Sequence, residues 1–177
     1  MIYQILKKQK VKKILDFGCN DGLLNKYLTK KIMYWGVDNN THIKKELKLF
    51  SNNIKIIKKK LPFKNKFFDC VVLSHVIAHI ENPYELIINL EKKLKLNGIF
   101  IIISPNKFYK FFYSFLNIFN NYNPDTTIYK HYSSLEIKRK FLKDYEVISI
   151  FDYSVDKGEI KNFLINSRLL IVCRKIK

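Results

Sequence analysis

Arginine is nearly missing from this strongly basic chain. Of its 33 basic residues only Arg139, Arg168 and Arg174 are arginines, and with 15 acidic residues the formal net charge is +18. Arginine is the side chain that most often binds bases and phosphates through a planar fork, so its scarcity argues against a chain built to bind nucleic acid. Lysine, isoleucine and asparagine are abundant together, which an AT-rich coding sequence produces by itself. We therefore attribute most of the charge to composition.

Cysteines and long apolar runs are also scarce. Cys19, Cys70 and Cys173 are the three cysteines, and their wide spacing predicts buried free thiols rather than a metal site or a disulfide. No apolar run reaches the roughly 18 residues that a membrane-spanning helix needs, and the first residues show no signal-peptide pattern. The chain has 177 residues, of which 47% are hydrophobic. These features predict one soluble, cytoplasmic domain over residues 1–177.

The most informative stretch covers residues 12–24. A short apolar strand ends at Asp16, a turn with Gly18 and Gly22 follows, and apolar periodicity predicts a helix over residues 21–31, with Leu23, Leu24, Tyr27 and Leu28 on its buried side. In α/β sheets, a strand, a tight loop and a helix N-terminus are where a small polar ligand is held. The glycines would let the backbone approach such a ligand, and Asp16 could accept a hydrogen bond from it.

A second acidic residue ends the next predicted strand, residues 33–38. Asp38 stands 22 residues after Asp16. That separation is close to the one at which an acid meets ribose hydroxyls in nucleotide-binding βαβ units. The two aspartates therefore predict a nucleotide-like ligand at the carboxyl ends of the first two strands.

Strand and helix patterns alternate up to Pro105 and then change. The remaining strands of the first part are predicted at residues 54–57, 67–74 and 99–104, with helices at 1–10, 41–50 and from Pro83 to a stop at Asn97-Gly98. Residues 106–130 are aromatic and contain no predicted strand. A helix over 133–142, with Ser133 or Ser134 as N-cap, then precedes two strands, 145–153 and 163–174, that should pair as an antiparallel hairpin at one edge. Alternation of this kind predicts an α/β fold with a doubly wound parallel sheet.

Short motifs follow one another along these elements. The first is Asp16-Phe-Gly18-Cys-Asn20-Asp-Gly22. The others are Gly-Val-Asp at 36–38, Leu-Pro-Phe at 61–63, Phe-Asp-Cys-Val-Val at 68–72, the loop 74–83, Leu-Asn-Gly at 96–98, Ser-Pro-Asn at 104–106 and His-Tyr-Ser at 131–133 with Leu135. In this order they resemble the class I S-adenosylmethionine-dependent methyltransferases, in particular the small single-domain branch that acts on small molecules. In the family's Asp-x-Gly-x-Gly-x-Gly loop, Asn20 replaces the middle glycine, and asparagine tolerates left-handed backbone geometry.

The resemblance implies a Rossmann-like sheet of seven strands, parallel except for the last, with helices on both faces and S-adenosylmethionine at the carboxyl ends of the first two strands. It implies no metal. The residues that it assigns to the cofactor are Asp16, Gly18, Cys19, Asn20, Gly22, Asp38, Asn39, Leu61, Ser74 and His75. Two departures stand out: lysines at 58–60, where the family has an acid facing the adenine, and Ala78, where glutamate is common.

The implied reaction is methyl transfer to an oxygen or nitrogen of a small-molecule acceptor. His75, His79 and His131 are the side chains near the predicted site with a pKa suited to proton removal at neutral pH. Residues 106–131 are expected to form a lid whose aromatic side chains suit an apolar or ring-bearing acceptor, although core packing would also explain them. With Lys107 and Lys110, residues 107–122 could also rest on an anionic membrane surface.

Two other functions are left open by the sequence. Its charge suggests an RNA methyltransferase, which the scarcity of arginine and the lack of an Asn-Pro-Pro-Tyr-like motif after Leu73 disfavour. The departures at Asn20, 58–60 and Ala78 suggest a methyltransferase-like scaffold without turnover. Neither the acceptor nor the oligomeric state is predicted.

Overall fold

The computed structural model describes residues 2–38, 54–56, 61–108, 127–153 and 168–176. Its strands are β1 (Lys13–Phe17), β2 (Met33–Asp38), β3 (Ile54–Ile56), β4 (Phe68–Ser74), β5 (Leu94–Pro105), β6 (Tyr145–Tyr153) and β7 (Arg168–Lys175). They form one sheet of seven strands in the order β3-β2-β1-β4-β5-β7-β6. Neighbours are parallel except that β7 is antiparallel to both β5 and β6. The predicted α/β class with an antiparallel last strand is confirmed.

Helices cover both faces of the sheet. The described ones are α1 (Ile2–Lys8), α2 (Leu23–Lys26), α3 (Pro83–Lys93) and α4 (Ser134–Phe141), with a 3₁₀ turn at Ile77–His79. Successive strand residues point to opposite faces. Along β4, Val71 and Leu73 join a buried cluster with residues of α3 and α4, whereas Cys70 and Val72 join another with Leu6 of α1. The core is therefore two apolar layers, one on each side of the sheet.

The first helix after β1 is much shorter than predicted. The sequence predicts it over residues 21–31, but α2 has 4 residues and starts after Gly22, which is left-handed with φ 69°. One turn of helix cannot bury a long stripe, and the side chains of Leu23 and Tyr27 are 47% and 68% exposed. Leu24 and Leu28 pack against the buried cluster that contains Leu6 of α1, as predicted.

The predicted helix stop at Asn97-Gly98 is wrong. Helix α3 already ends at Lys93, and β5 runs through both residues. Asn97 has a φ of 61°, and the pairing of β5 with β4 shifts register at this point, so the two residues mark a β-bulge instead. A Cβ at position 98 would lie 2.8 Å from the Leu94 side chain, which explains why glycine stands there.

Several predicted features lie outside the described residues. They are the helix over 41–50, Asn39, the lysines at 58–60 and the lid residues 109–126. The three cysteines are described, and all are buried and free, as predicted. Among the helices that the structure describes, none is long and apolar enough to cross a membrane.

Ser133 is the N-cap of α4, one of the two serines predicted for that position. Its hydroxyl accepts a hydrogen bond from the Glu136 N–H at 3.2 Å, and the Glu136 carboxylate accepts one from the Ser133 N–H at 2.9 Å. Because this capping box satisfies two N–H groups at the helix start, we expect Ser133→Ala to lower the free energy of unfolding by about 1 kcal/mol. Urea denaturation measures the change. Ser134→Ala, one residue further on, is the control, and equal losses in both variants would contradict the capping role.

Candidate functional site

The loop after β1 turns through three residues with left-handed backbone geometry. Gly18, Asn20 and Gly22 have φ values of 75°, 46° and 69°. The amides of Gly18 and Cys19 both donate to the Val37 carbonyl of β2, at 2.7 and 3.1 Å. Asn20 thus adopts the conformation that a glycine at this position would supply, and the replacement leaves the turn intact.

Gly18 also brings two loops into contact. A Cβ at this position would lie 2.3 Å from Cγ2 of Val76, in the loop that follows β4. Only a glycine allows this approach, since the position combines a left-handed backbone with a close neighbour. The carboxyl ends of β1 and β4 are therefore held side by side.

Asp38, at the end of β2, forms a hydrogen bond with the same loop. Its Oδ2 accepts a hydrogen bond from the Asn20 N–H at 2.9 Å. The acid that the sequence assigns to a ligand therefore also has a structural contact, with the residue that replaces the middle glycine. An effect of replacing Asp38 must be interpreted with both contacts in mind.

Asp16 is a buried carboxyl at the end of β1, with 3% of its surface exposed. The Tyr34 hydroxyl donates to its Oδ2 at 2.8 Å. Burial raises the pKa of Asp16 to about 7, the Tyr34 hydrogen bond opposes the rise, and the nearby Asp38 and Asp21 add to it. The carboxyl is thus balanced between its neutral and ionised forms near neutral pH.

A cavity of about 450 Å³ opens beside this loop, at the carboxyl ends of β1 and β4. Its volume is typical of a small-molecule site. Six of the residues predicted to bind a cofactor line it: Asp16, Gly18, Cys19, Asn20, Ser74 and His75. Sequence positions almost 60 residues apart are brought together there because parallel strands end at one edge of the sheet.

The rest of the cavity wall was not predicted as part of a site. It consists of Ile2, Asp21, Leu23, Leu24, Tyr27, Val72 and Ile103. Apolar periodicity in α1 and α2 was the available signal, but the same pattern describes a helix packed on a core. Only the shortness of α2, which leaves Leu23 and Tyr27 half to two-thirds exposed, distinguishes a cavity wall from a buried face.

His75 is the predicted catalytic histidine that lies at the cavity wall. Its backbone is left-handed, with φ 60°, and its N–H donates to the Ile103 carbonyl at 2.8 Å. Burial lowers the pKa of the ring to about 4, with further contributions from Arg168 and His79. Within the described part of the chain, its buried Nε2 has no hydrogen-bond partner. The ring is therefore uncharged at neutral pH, and it carries one buried polar atom that no described residue satisfies.

His79 and His131 do not line this cavity. The Nδ1 of His79 lies 2.9 Å from the Thr127 hydroxyl and 3.1 Å from the Thr127 carbonyl oxygen. This contact ties the 3₁₀ turn to the chain that leads into α4. The structure thus brings one of the three predicted catalytic histidines to the cavity wall, and the other two are not part of that wall.

Three of the predicted cofactor residues are described but do not line the cavity. Gly22 is the N-cap of α2, Asp38 adjoins the wall through the Asn20 amide, and Leu61 packs against the core cluster that contains residues of α3 and α4.

A second cavity, of about 460 Å³, lies between α3 and α4. None of the predicted site residues lines it.

Comparison with known proteins identifies the fold and the family. A methyltransferase domain family matches residues 2–150. A ubiquinone biosynthesis O-methyltransferase of Rickettsia canadensis is 31% identical over 105 residues, which cover 55% of this chain and 44% of that protein. Its counterpart in Rickettsia typhi is 28% identical over 165 residues, covering 86% of this chain and 63% of that protein.

A solved structure agrees with this assignment at the level of the fold. The S-adenosylmethionine-dependent methyltransferase of Archaeoglobus fulgidus superposes with a TM-score of 0.70 at 18% identity, over 98% of this chain and 93% of that one. The present chain spans less than half the length of the Rickettsia canadensis protein that it matches. The family match over most of the chain, together with the sheet order and the glycine loop, shows that the chain belongs to the class I S-adenosylmethionine-dependent methyltransferase family.

Proposed function

We propose that this chain transfers a methyl group from S-adenosylmethionine to an oxygen or nitrogen of a small-molecule acceptor. The observation that carries the proposal is the cavity in which the loop after β1 meets Ser74 and His75. S-adenosylmethionine supplies a methyl group activated on a sulfonium. The residues of the chain then need only hold the two reactants in line and, for some acceptors, take up a proton.

The residues present fit this cofactor. Asp38 would accept hydrogen bonds from the ribose hydroxyls, in addition to the one that it accepts from the Asn20 N–H. Asp16 and the left-handed loop would face the amino-acid end of the cofactor, whose ammonium group favours a buried carboxylate. Gly18, Cys19, Asn20 and Ser74 complete this part of the wall.

The acceptor is proposed to be apolar or ring-bearing and to carry a hydroxyl. Six mainly apolar side chains form part of the cavity wall: Ile2, Leu23, Leu24, Tyr27, Val72 and Ile103. Such walls bind a ligand mainly by burying its apolar area and leave orientation to a few polar groups. The relatives named ubiquinone biosynthesis O-methyltransferase support an oxygen as the methylated atom.

His75 is proposed to orient the acceptor rather than to act as a strong base. An imidazole whose pKa lies near 4 is a weak proton acceptor, but its Nε2, which no described residue partners, would form a hydrogen bond with an acceptor hydroxyl. His79 and His131 lie outside the cavity wall, and their predicted catalytic roles can be separated from that of His75 by substitution.

We expect His75→Asn to lower kcat/KM by about 100-fold, the lower end of the effect of losing an acid–base or orienting group. Asparagine is chosen because it tolerates the left-handed backbone at this position. The assay follows tritium from labelled S-adenosylmethionine onto a panel of substituted phenols and catechols. His79→Ala is the matched control and should change kcat/KM by less than about threefold. The opposite ranking of the two variants would move the role to His79.

Calorimetric titration with S-adenosylmethionine and S-adenosylhomocysteine tests the proposed function itself. Binding of both, followed by label transfer to a small acceptor, supports it. No binding at millimolar ligand would contradict every methyltransferase activity at once. Binding with transfer only to total RNA would favour the RNA methyltransferase, and binding with no transfer to either would favour the scaffold.

A further inference from the structure

Tyr34 is a buried tyrosine that the proposed reaction has not yet used. It lies in β2 with 2% of its surface exposed, and its hydroxyl donates to Oδ2 of Asp16 at 2.8 Å. In the parallel pairing of β1 and β2, Tyr34 stands opposite Ile14, and Asp16 stands opposite Gly36. The phenol therefore reaches diagonally across the pair, over the position of Gly36.

Gly36 leaves the space that this contact needs. A Cβ at position 36 would lie 3.1 Å from the Tyr34 hydroxyl and 2.8 Å from Sγ of Cys19. The 2.8 Å distance is too short for an unstrained side chain and the 3.1 Å distance is tight, so a larger residue would displace the thiol and push on the phenol. A glycine in the middle of a buried strand weakens it, and here the space that it leaves holds the tyrosine hydroxyl against the carboxyl.

We propose, on the basis of the proposed function, that Tyr34 is a positioning residue for the cofactor, holding Asp16 by one oxygen so that the other serves the cofactor's ammonium group. Asp16 lines the cavity, and within the described part of the chain no hydrogen bond engages its Oδ1. Rotation of the carboxyl is restricted because Oδ2 accepts a hydrogen bond from the hydroxyl of the buried Tyr34. The site thus binds the amino-acid end of the cofactor with a carboxylate that is oriented in advance.

The same hydrogen bond favours the ionised carboxyl. Among the described residues, the titratable groups that face Asp16 are Tyr34, Cys19, Asp21, Asp38 and Cys70. Burial raises the pKa of both thiols well above neutral, so neither carries charge, and the two aspartates make ionisation of Asp16 harder. Tyr34 is the group that opposes this effect, because it donates to the carboxylate. Without it, a smaller fraction of Asp16 is ionised at neutral pH.

Tyr34→Phe tests the proposal through the pH dependence of ligand binding. We expect S-adenosylhomocysteine to bind about 10-fold more weakly at pH 7, as for a lost hydrogen bond to a charged group. The weakening should shrink toward pH 8.5, where Asp16 ionises even without the phenol. Methylthioadenosine has no ammonium group, so its affinity should change by less than about twofold. Tyr145→Phe, which removes another buried hydroxyl without a described partner, is the control.

The outcomes separate this inference from the proposed function. A wild-type chain that binds neither nucleoside would overturn the proposed function. If the wild type binds S-adenosylhomocysteine and Tyr34→Phe binds it with the same affinity and pH profile, Tyr34 has no positioning role. Equal losses for both nucleosides at every pH would assign Tyr34 to packing alone. Asp16→Asn has no ionisable group at this position. It should therefore bind S-adenosylhomocysteine weakly and without pH dependence between pH 6 and 8.

Discussion

An Asp38→Ala variant is expected to bind S-adenosylmethionine on the order of 30- to 150-fold more weakly than the natural chain. Hydrogen bonds to a charged group contribute roughly 2–3 kcal/mol, and the proposed ribose contacts depend on this carboxylate. The same substitution also removes the hydrogen bond that Asp38 Oδ2 accepts from the Asn20 N–H at 2.9 Å, and this bond holds the loop after β1 in place. Calorimetric titration of the purified variant measures the loss.

Two further variants separate the ribose contact from the loop contact. Asp38→Asn keeps an oxygen that can accept from the Asn20 N–H but loses the negative charge and one acceptor oxygen. We expect its affinity for S-adenosylmethionine to lie between those of Asp38→Ala and the natural chain. The more the loop contact contributes to binding, the closer its affinity should be to that of the natural chain. Glu85→Ala, an exposed acid in the first turn of α3, controls for the change in net charge. An Asp38→Ala chain with undiminished affinity would remove Asp38 from the ribose.

An Asp16→Asn variant is expected to be more stable than the natural chain at pH 8, by roughly 2–4 kcal/mol, and about equally stable at pH 4. The pKa of Asp16 rises from 3.8 to about 7 on folding, mainly through burial. Between these values the folded state keeps a proton that the unfolded state has lost, so stability falls as pH rises from about 4 to 7. Asparagine carries no charge at any of these pH values and can still accept from the Tyr34 hydroxyl.

Urea denaturation of both chains at pH 4.5 and pH 8 measures this difference. The gap between the two chains at one pH is the relevant quantity, because other groups that titrate are common to both. Equal gaps at the two pH values would show that Asp16 does not change its ionisation on folding. A more stable variant that no longer binds cofactor would show that the buried carboxyl serves binding at a cost in stability.

Local patterns were enough to predict most strands and one helix start. The strand over Met33–Asp38 and the strand over Tyr145–Tyr153 have the predicted bounds, because apolar and β-branched residues dominate both. Ser133 followed by Glu136 is a capping pattern that needs no distant contact, and α4 begins where it predicts. These are features whose cause lies within a few residues of the chain.

The two wrong predictions concern features that apolar periodicity and short sequence signals do not determine. Asn97-Gly98 looks like a helix stop, yet β4 pairs with β5 on both sides of this segment, which makes it a bulge within the strand. The helix after β1 was predicted too long at both ends: the left-handed Gly22 delays its start to Leu23, and the helix already ends at Lys26, neither of which periodicity shows. In both cases the pairing or the turn overrides a local preference.

The sequence by itself determined the order of elements, the glycine loop with its two aspartates and the family to which they point. Only the tertiary structure decided which of these residues share a cavity: His75 does, His79 and His131 do not, and Ile2 from the first helix does. It also revealed the Tyr34–Asp16 hydrogen bond, which depends on strand pairing and on the space at Gly36. Burial and orientation are properties of residues distant in sequence, so no local pattern carries them.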